Sequence, residues 1–335
     1  MKTELVTPSA ENISRAAEII KRGGLAAFPT ETVYGLGADG LNSEAVGRIF
    51  TAKGRPADNP LILHIESADK LSDCARDIPD AAHRLARAFW PGPLTMVLKK
   101  RRHIPDTVTA GLDTVAVRCP GNAIALSLIK AAERPIAAPS ANTSGRVSPT
   151  SAAHVMEYLN GKIDIVIDGG DCTVGIESTI IDLSEGLPRL LRPGYITAGQ
   201  IEGVLDISLE TAAIASERPK APGMKYTHYS PIARVIIVDG EPGEAAAYIN
   251  SQAGDFGVIA SSETKALYKT GTVVDAGSRA NPDEIARGLY AALIRLDHTG
   301  VSHIYCEAFY DTELGISIMN RLEKSAGYNI IRLNK

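Results

Sequence analysis

Short apolar strands alternate with amphipathic helices along most of the 335-residue chain, and this alternation restricts the fold more than any other feature. Residues 12–23 carry apolar side chains at helical spacing and are followed by the apolar run 25–28. The same order recurs at 123–132 and 135–138. Chains that alternate in this way place helices against a sheet. The sequence therefore predicts an α/β protein.

A break in composition at residues 205–233 divides the chain into two parts. This stretch has few apolar residues and holds Pro219, Pro222 and Gly223, which is typical of a linker between domains. The length of the chain also favours about two domains over one. We predict a catalytic domain at 1–208, a linker at 209–233 and a smaller α/β domain at 234–335. Because the linker contains Lys, His and two Tyr residues, we expect it to fold over a site as a lid.

Charge and cysteine content exclude several classes of protein. The net charge of −4 and the pI near 6.0 provide no general attraction to nucleic acid or to an anionic membrane, so any phosphate site must be local. Cys74, Cys119, Cys172 and Cys306 are too far apart for a zinc or disulfide pattern. No stretch approaches 18 apolar residues. We expect a protein of the cytoplasm with no membrane contact.

The turn that contains Lys53, Gly54 and Arg55 is the first candidate anion site. It offers a mobile ammonium and a rigid guanidinium beside a glycine that lets the backbone approach phosphate oxygens closely. The alternative is an ordinary helix end, because residues 43–53 have a helical pattern that a Lys-Gly-Arg sequence commonly terminates. Arg192, in a Leu-Arg-Pro-Gly stretch, is a further candidate cation.

Residues 29–40 place Thr30, Glu31 and Thr32 between a buried strand and a glycine-rich loop. Two hydroxyls and a carboxylate can bind the ammonium and hydroxyl groups of a small ligand, although a plain turn has the same composition. The glycines match the spacing of a dinucleotide fingerprint, but the polar stretch separates them from the strand. The tight strand-to-helix turn of a Rossmann site is therefore missing.

Three further segments carry candidate residues. Arg118 ends a strand and can bind a carboxylate. Residues 139–149 are rich in hydroxyl and amide side chains that can surround phosphates, though the same residue types dominate turns. The basic run 99–103 could contact RNA, but we favour a solvated loop. The chain contains neither a Gly-x-Ser-x-Gly sequence nor a P-loop.

Six motifs in this order resemble those of threonylcarbamoyl-AMP synthases, in the longer two-domain form of that family. They are Pro-Thr-Glu-Thr-Val-Tyr-Gly, Lys-Gly-Arg-Pro, Trp-Pro-Gly-Pro-Leu-Thr, Pro-Ser-Ala-Asn-Thr-Ser-Gly, Gly-Ile-Glu-Ser-Thr and Leu-Arg-Pro-Gly. The resemblance implies a first domain of α+β character, in which a twisted mixed sheet with flanking helices forms a concave site. It also implies a smaller, Rossmann-like second domain.

The resemblance implies condensation of L-threonine, bicarbonate and ATP into L-threonylcarbamoyl-adenylate and pyrophosphate, for modification of tRNAs that read ANN codons. Lys53 and Arg55 would act in catalysis, and Mg²⁺ would enter with ATP. The implied ATP contacts are Lys53, Arg55, Asn59, Thr114, Ser140, Asn142, Ser148, Arg192, His228 and Tyr229. The implied threonine contacts are Thr30, Thr32, His64, Arg118, Ala138 and Ser178. Downstream proteins would transfer the product to tRNA, and this chain would itself contact tRNA only weakly.

Two alternatives remain open at this point. One is an RNA-binding module of the same fold, which would use the basic run 99–103. The other is a carbamoyltransferase that makes a carbamoyl adenylate from carbamoyl phosphate. Such enzymes usually carry acylphosphatase and zinc-finger segments, which this sequence does not contain.

Overall fold

The computed structural model describes residues 2–211 and 229–333, and these residues form two compact units. The first comprises residues 2–144, 149–173 and 177–211. The second comprises residues 229–333 together with two short segments from earlier in the chain, 145–148 and 174–176. The predicted domain boundaries at 208 and 233 stay a prediction, because most of the predicted linker lies outside the described residues. Among the described residues, no helix is long and apolar enough to cross a bilayer.

The first unit is built on a mixed sheet in which parallel and antiparallel pairs alternate irregularly. The spatial order is β1-β8-β2-β3-β7-β4-β6-β5-β9-β10-β11. The strands are β1 (Glu4–Val6), β2 (Ala26–Phe28), β3 (Gly35–Asp39), β4 (Ile62–His64), β5 (Leu94–Lys99), β6 (Thr114–Arg118), β7 (Ile136–Ala137), β8 (Ile165–Ile167), β9 (Thr179–Asp182), β10 (Arg189–Arg192) and β11 (Glu210–Thr211). Apolar clusters pack on the sheet. The predicted α/β class and mixed sheet are confirmed.

Helices flank this sheet, and side-chain caps fix where several of them begin. The helices are α1 (Ala10–Lys21), α2 (Ser43–Lys53), α3 (Leu71–Cys74), α4 (Asp80–Phe89), α5 (Asp106–Thr109), α6 (Ala123–Ala132), α7 (Ala152–Leu159) and α8 (Ala198–Leu205). Asn42 caps the first turn of α2, and Gly54 ends that helix in the left-handed conformation, with φ of 60°. The sequence pattern gave the bounds of α2 and α6 as the structure has them.

Two segments differ from the sequence prediction. The glycine-rich loop predicted after Thr32 is the buried strand β3, which pairs with β2 and β7. A Cβ on Gly37 would lie 2.8 Å from both the Phe28 ring and the Ile136 side chain, so glycine here permits close packing. The second is the run from Gly175 to Asp182, whose apolar pattern after a glycine predicts a strand throughout, whereas β9 begins only at Thr179.

The second unit is a smaller α/β unit with an all-parallel sheet. Its strands are β12 (Arg234–Asp239), β13 (Phe256–Ala260), β14 (Thr272–Asp275), β15 (His303–Glu307) and β16 (Ile330–Arg332), in the order β14-β13-β15-β12-β16. Helices α9 (Pro242–Asn250), α10 (Pro282–Asp297) and α11 (Glu313–Ser325) connect them. This parallel arrangement agrees with the predicted Rossmann-like domain.

Candidate active site

Three neighbouring strands of the first unit place three polar side chains in one row. His64 on β4 lies opposite Arg118 on β6, and Arg118 lies opposite Thr95 on β5. Residues that lie opposite one another across strands point to the same face of the sheet. All three are buried. A buried polar row within an apolar sheet indicates a site rather than a packed core.

Arg118 joins this row to the Pro-Thr-Glu-Thr segment, which is distant in the sequence. Its Nη2 donates to Glu31 Oε1 at 2.6 Å, and its Nη1 donates to Thr32 Oγ1 at 3.0 Å. Thr32 Oγ1 lies 2.8 Å from Thr30 Oγ1, which donates to the Val33 carbonyl. The structure therefore brings the predicted residues Thr30, Thr32, His64 and Arg118 together. Glu31 provides the counter-charge for Arg118.

His64 is held in its neutral form by its surroundings. Burial, and then the neighbouring charge of Arg118, lower its pKa from 6.5 to about 3. Its ring packs edge-on against Phe28, with ring centroids 6.3 Å apart. A neutral imidazole in this position can donate or accept a hydrogen bond, but it adds no second positive charge next to Arg118.

Lys53 lies at the last position of α2, so the helix-end interpretation of its location is correct. Its side chain is nevertheless only 3% exposed. Nζ donates to the carbonyl oxygens of Ser140 and Asn142 and lies 3.5 Å from Asn142 Oδ1. Burial, and then the charge of Arg55, lower the pKa of Lys53 well below its ordinary value. The ammonium group therefore positions the 140–142 loop.

Arg55 and the residues that follow it form a second group. Arg55 Nη2 donates to the carbonyls of Asn59 at 3.4 Å and of Pro60 at 3.3 Å. These bonds close the turn back on itself before the chain enters β4. Asn59 is only 2% exposed. The guanidinium is thus held beside the backbone of Asn59, and the assignment of both residues to ATP stays a prediction.

Several buried polar atoms near these groups have no hydrogen-bond partner within the described part of the chain. They include Glu31 Oε2, Asn59 Oδ1, His64 Nδ1 and Thr114 Oγ1. A buried polar atom that lacks a partner costs about 1–3 kcal/mol, and native proteins contain few of them. Four such atoms at candidate residues indicate that a ligand or water supplies the missing bonds.

Arg192 and Ser178 form a third group, which reaches the polar row through Thr95. Arg192 donates from Nε and Nη2 to the Ser178 carbonyl, at 3.1 and 2.8 Å. The Ser178 hydroxyl lies 2.8 Å from the Thr95 hydroxyl. Sequence reasoning did not single out Thr95. The available signal was its position as a lone hydroxyl within the apolar strand 94–98.

The remaining candidates fall in different places. Ala138 follows β7 and donates its N–H to the Ile62 carbonyl at 3.0 Å, while Ser140 pairs with Gly35 in an isolated bridge. Ser148 is buried and belongs to segment 145–148 of the second unit. Tyr229 is also buried in the second unit, where its ring stacks on Tyr290. His228 lies outside the described residues.

The basic run 99–103 shows mixed rather than uniformly positive surroundings. Lys100 pairs with Asp106, and Arg101 Nε donates to the Ser72 carbonyl. The adjacent cavity, of about 800 Å³, is bordered by acidic as well as basic side chains: Glu66, Asp73, Glu133, Lys70, Arg101, Lys130 and Arg134. This mixture favours a solvated loop over an RNA-phosphate contact.

Comparison with known families covers both units. A family model described as "Telomere recombination" matches residues 18–194, and one described as "Threonylcarbamoyl-AMP synthase, C-terminal domain" matches residues 196–327.

Two similar proteins and one solved structure extend over nearly the whole chain. A threonylcarbamoyl-AMP synthase of Pyrococcus abyssi is 50% identical over 95% of both chains. One of Bacillus subtilis is 44% identical over 98% of this chain and 97% of its own. A crystal structure of P. abyssi Sua5 complexed with L-threonine superposes with a TM-score of 0.92, at 47% identity and full coverage of both chains.

Proposed function

The chain belongs to the threonylcarbamoyl-AMP synthase family, and on that premise we propose the reaction that its residues carry out. L-threonine, bicarbonate and ATP condense to L-threonylcarbamoyl-adenylate, with release of pyrophosphate and water. The observation that carries this proposal is the set of buried, unpartnered atoms on Glu31, Asn59, His64 and Thr114, within the described residues. A substrate with several polar groups can supply the missing hydrogen bonds to these four atoms.

Threonine binds at the polar row formed by His64, Arg118 and Thr95. Arg118 faces the amino-acid carboxylate with guanidinium donors that Glu31 and Thr32 already orient. Glu31 Oε2 and His64 Nδ1 remain for the amino and hydroxyl groups. Thr30, Ala138 and Ser178 complete the predicted set. The L-threonine complex of a similar protein supports a threonine site in this fold.

ATP binds at the group formed by Lys53 and Arg55. The hydrogen-bond partners of Lys53 among the described residues are oxygens of Ser140 and Asn142, and none of them is a carboxylate. A buried ammonium without a counter-charge is costly, and triphosphate oxygens provide that charge. The other proposed ATP contacts are Asn59, Thr114, Ser140, Asn142, Ser148, Arg192, His228 and Tyr229.

Mg²⁺ enters with ATP in this proposal. The described residues hold no group of three or more His, Cys, Asp and Glu side chains that could bind a metal ion. Mg²⁺ keeps several waters and commonly takes its remaining ligands from substrate phosphates, so it needs few protein donors. The unpartnered oxygen of Asn59 can accept a hydrogen bond from a water of its hydration shell. When bound, the ion would share the charge of the triphosphate.

The chemistry requires positioning rather than a covalent nucleophile. The amine of threonine takes up CO₂ derived from bicarbonate, and an oxygen of the resulting carbamate attacks the α-phosphate while pyrophosphate leaves. Juxtaposition of the two reactants supplies much of the rate. Arg55 and Lys53 stabilise the charge that develops on the phosphate oxygens. Because His64 is neutral, it places no further positive charge beside the amine of threonine.

The product of this reaction is a reactive adenylate that other proteins consume. We propose that they transfer its threonylcarbamoyl group to the adenosine next to the anticodon of ANN-reading tRNAs. Direct contact of this chain with tRNA is at most weak in the proposal, because the basic run 99–103 has mixed-charge surroundings. The reaction is placed in the cytoplasm, where tRNA modification uses ATP.

A pyrophosphate-release assay with single substrate omissions tests the proposal. We expect release only when ATP, L-threonine and bicarbonate are all present, because the carbamate forms from the last two. Release with carbamoyl phosphate in place of threonine and bicarbonate would instead favour the carbamoyltransferase. No release with any set, together with RNA affinity that falls steeply with salt, would favour the RNA-binding module.

A further inference from the structure

Asp297, at the end of α10, binds two segments that are far apart in the sequence. Its Oδ2 lies 3.0 Å from Arg146 Nη2, and its Oδ1 accepts the backbone N–H groups of Ile232 and Ala233 at 2.7 and 2.9 Å. The Asp297 side chain is only 9% exposed. One buried carboxylate therefore holds the 145–148 segment and the 229–233 segment on the same helix, all within the second unit.

Further contacts make these two segments one assembly, which we name the Asp297 clamp and define as residues 145–148, 229–233 and Asp297. Ser230 N donates to the Gly145 carbonyl at 2.9 Å. The Tyr229 carbonyl accepts the Ser325 hydroxyl at 2.8 Å. The Tyr229 ring stacks on Tyr290, with centroids 5.5 Å apart. The clamp is thus fixed by charge, by backbone bonds and by ring packing.

Two predicted ATP contacts, Ser148 and Tyr229, lie on this clamp. We propose that Asp297 is a positioning residue for ATP, acting through the 145–148 and 229–233 segments without touching the nucleotide. This inference rests on the proposed function, because that function assigns ATP to Ser148 and Tyr229. In this role, helix α10 sets the geometry of the Ser148 and Tyr229 contacts within the second unit. Hydrogen bonds to an ionised carboxylate are about twice as strong as neutral ones, which suits this role.

Asp297→Asn in the full-length chain is the test. The amide oxygen still accepts the two backbone N–H groups, so the second unit keeps its fold. The amide nitrogen, however, faces Arg146 as a second donor, and the pair is lost. We expect the KM for ATP to rise at least about fivefold, as the loss of one charge-assisted bond predicts. The KM for threonine stays unchanged.

A rescue variant separates positioning from general damage. In Asp297→Asn combined with Arg146→Gln, the amide nitrogen gains the Gln oxygen as acceptor, and most of the ATP KM returns. Asp283→Asn, the same change in the first turn of α10, serves as the matched control and keeps wild-type values. An ATP KM within twofold of wild type in Asp297→Asn, or an equal rise in both KM values, would overturn the inference.

Calorimetric titration with ATP distinguishes this inference from the proposed function. If the wild type binds ATP but releases no pyrophosphate, and Asp297→Asn weakens binding, the proposed function fails and the positioning role stands. If the wild type releases pyrophosphate and Asp297→Asn binds ATP as tightly as wild type, only the positioning role fails.

Discussion

Arg118 and Lys53 are both buried cations of the first unit, at 4% and 3% exposure, but the protein neutralises their charges differently. Arg118 forms an ion pair with Glu31 at 2.6 Å, so its charge is compensated within the folded chain. Lys53 donates to oxygens of Ser140 and Asn142, and within the described residues it has no carboxylate partner. Burial lowers its pKa accordingly.

This difference follows the charges of the two proposed substrates. Threonine is a zwitterion, so its site needs one group of each sign, and the Arg118–Glu31 pair provides both. ATP carries several negative charges, so a site with excess positive charge is suited to it. The ion pair should therefore be important for stability, whereas Lys53 should be important mainly for the nucleotide. The following predictions test that separation, in order of decreasing effect.

Arg118→Met should destabilise the protein by about 3–5 kcal/mol, because it leaves Glu31 buried without its partner. Urea unfolding followed by the fluorescence of Trp90, the single tryptophan, measures this change. The exposed Arg101→Met is the matched control. The double variant Arg118→Met with Glu31→Gln should recover most of the lost stability but no threonine-dependent turnover. Wild-type stability in Arg118→Met would show that the ion pair with Glu31 does not compensate a buried charge in the folded protein.

His64, next to Arg118, should contribute a pH dependence to stability. Its folded pKa is about 3 against an ordinary 6.5, so the unfolded chain binds a proton that the folded chain does not. The contribution of neutral His64 to the free energy of unfolding is therefore complete above pH 6.5 and is lost as the pH falls toward 3. At pH 5 the free energy of unfolding is lower by about 2 kcal/mol than at pH 7.5, because it falls by about 1.36 kcal/mol for each pH unit below 6.5.

His64→Asn should remove that part of the acid sensitivity, measured as the difference in unfolding free energy between pH 7.5 and 5. The exposed His103→Asn should keep the wild-type difference. An unchanged pH dependence in His64→Asn would mean that the imidazole is protonated in the fold, and that burial and the charge of Arg118 do not keep it neutral.

Lys53→Met should lower pyrophosphate release at least about tenfold, which corresponds to about 1.4 kcal/mol of transition-state stabilisation. We expect Arg55→Ala to have a similar effect. Unfolding free energy should fall much less in Lys53→Met than in Arg118→Met, because relief of the buried charge offsets the lost bonds to the two carbonyls. Lys130→Met, an exposed lysine on α6, is the control. Wild-type turnover in both Lys53→Met and Arg55→Ala would contradict the nucleotide site.

Local features of the sequence predicted much of the fold. The helical spacing and the terminal Lys-Gly-Arg sequence predicted α2, and the apolar pattern predicted α6, because hydrophobic periodicity and capping act within a few residues. Glycine misled the prediction at β3. There it serves close packing against Phe28 and Ile136, and that requirement depends on residues elsewhere in the chain.

The sequence by itself determined the α/β class, the two-part organisation as a hypothesis, and the residue types of the candidate site. Only the tertiary structure decided their pairing: Glu31 with Arg118, 87 positions apart, and Arg146 with Asp297, 151 positions apart. Composition and periodicity describe neighbours along the chain, whereas charge compensation depends on distance in space. Only the folded chain therefore showed which buried cation the protein neutralises, and which one lacks a carboxylate partner among the described residues.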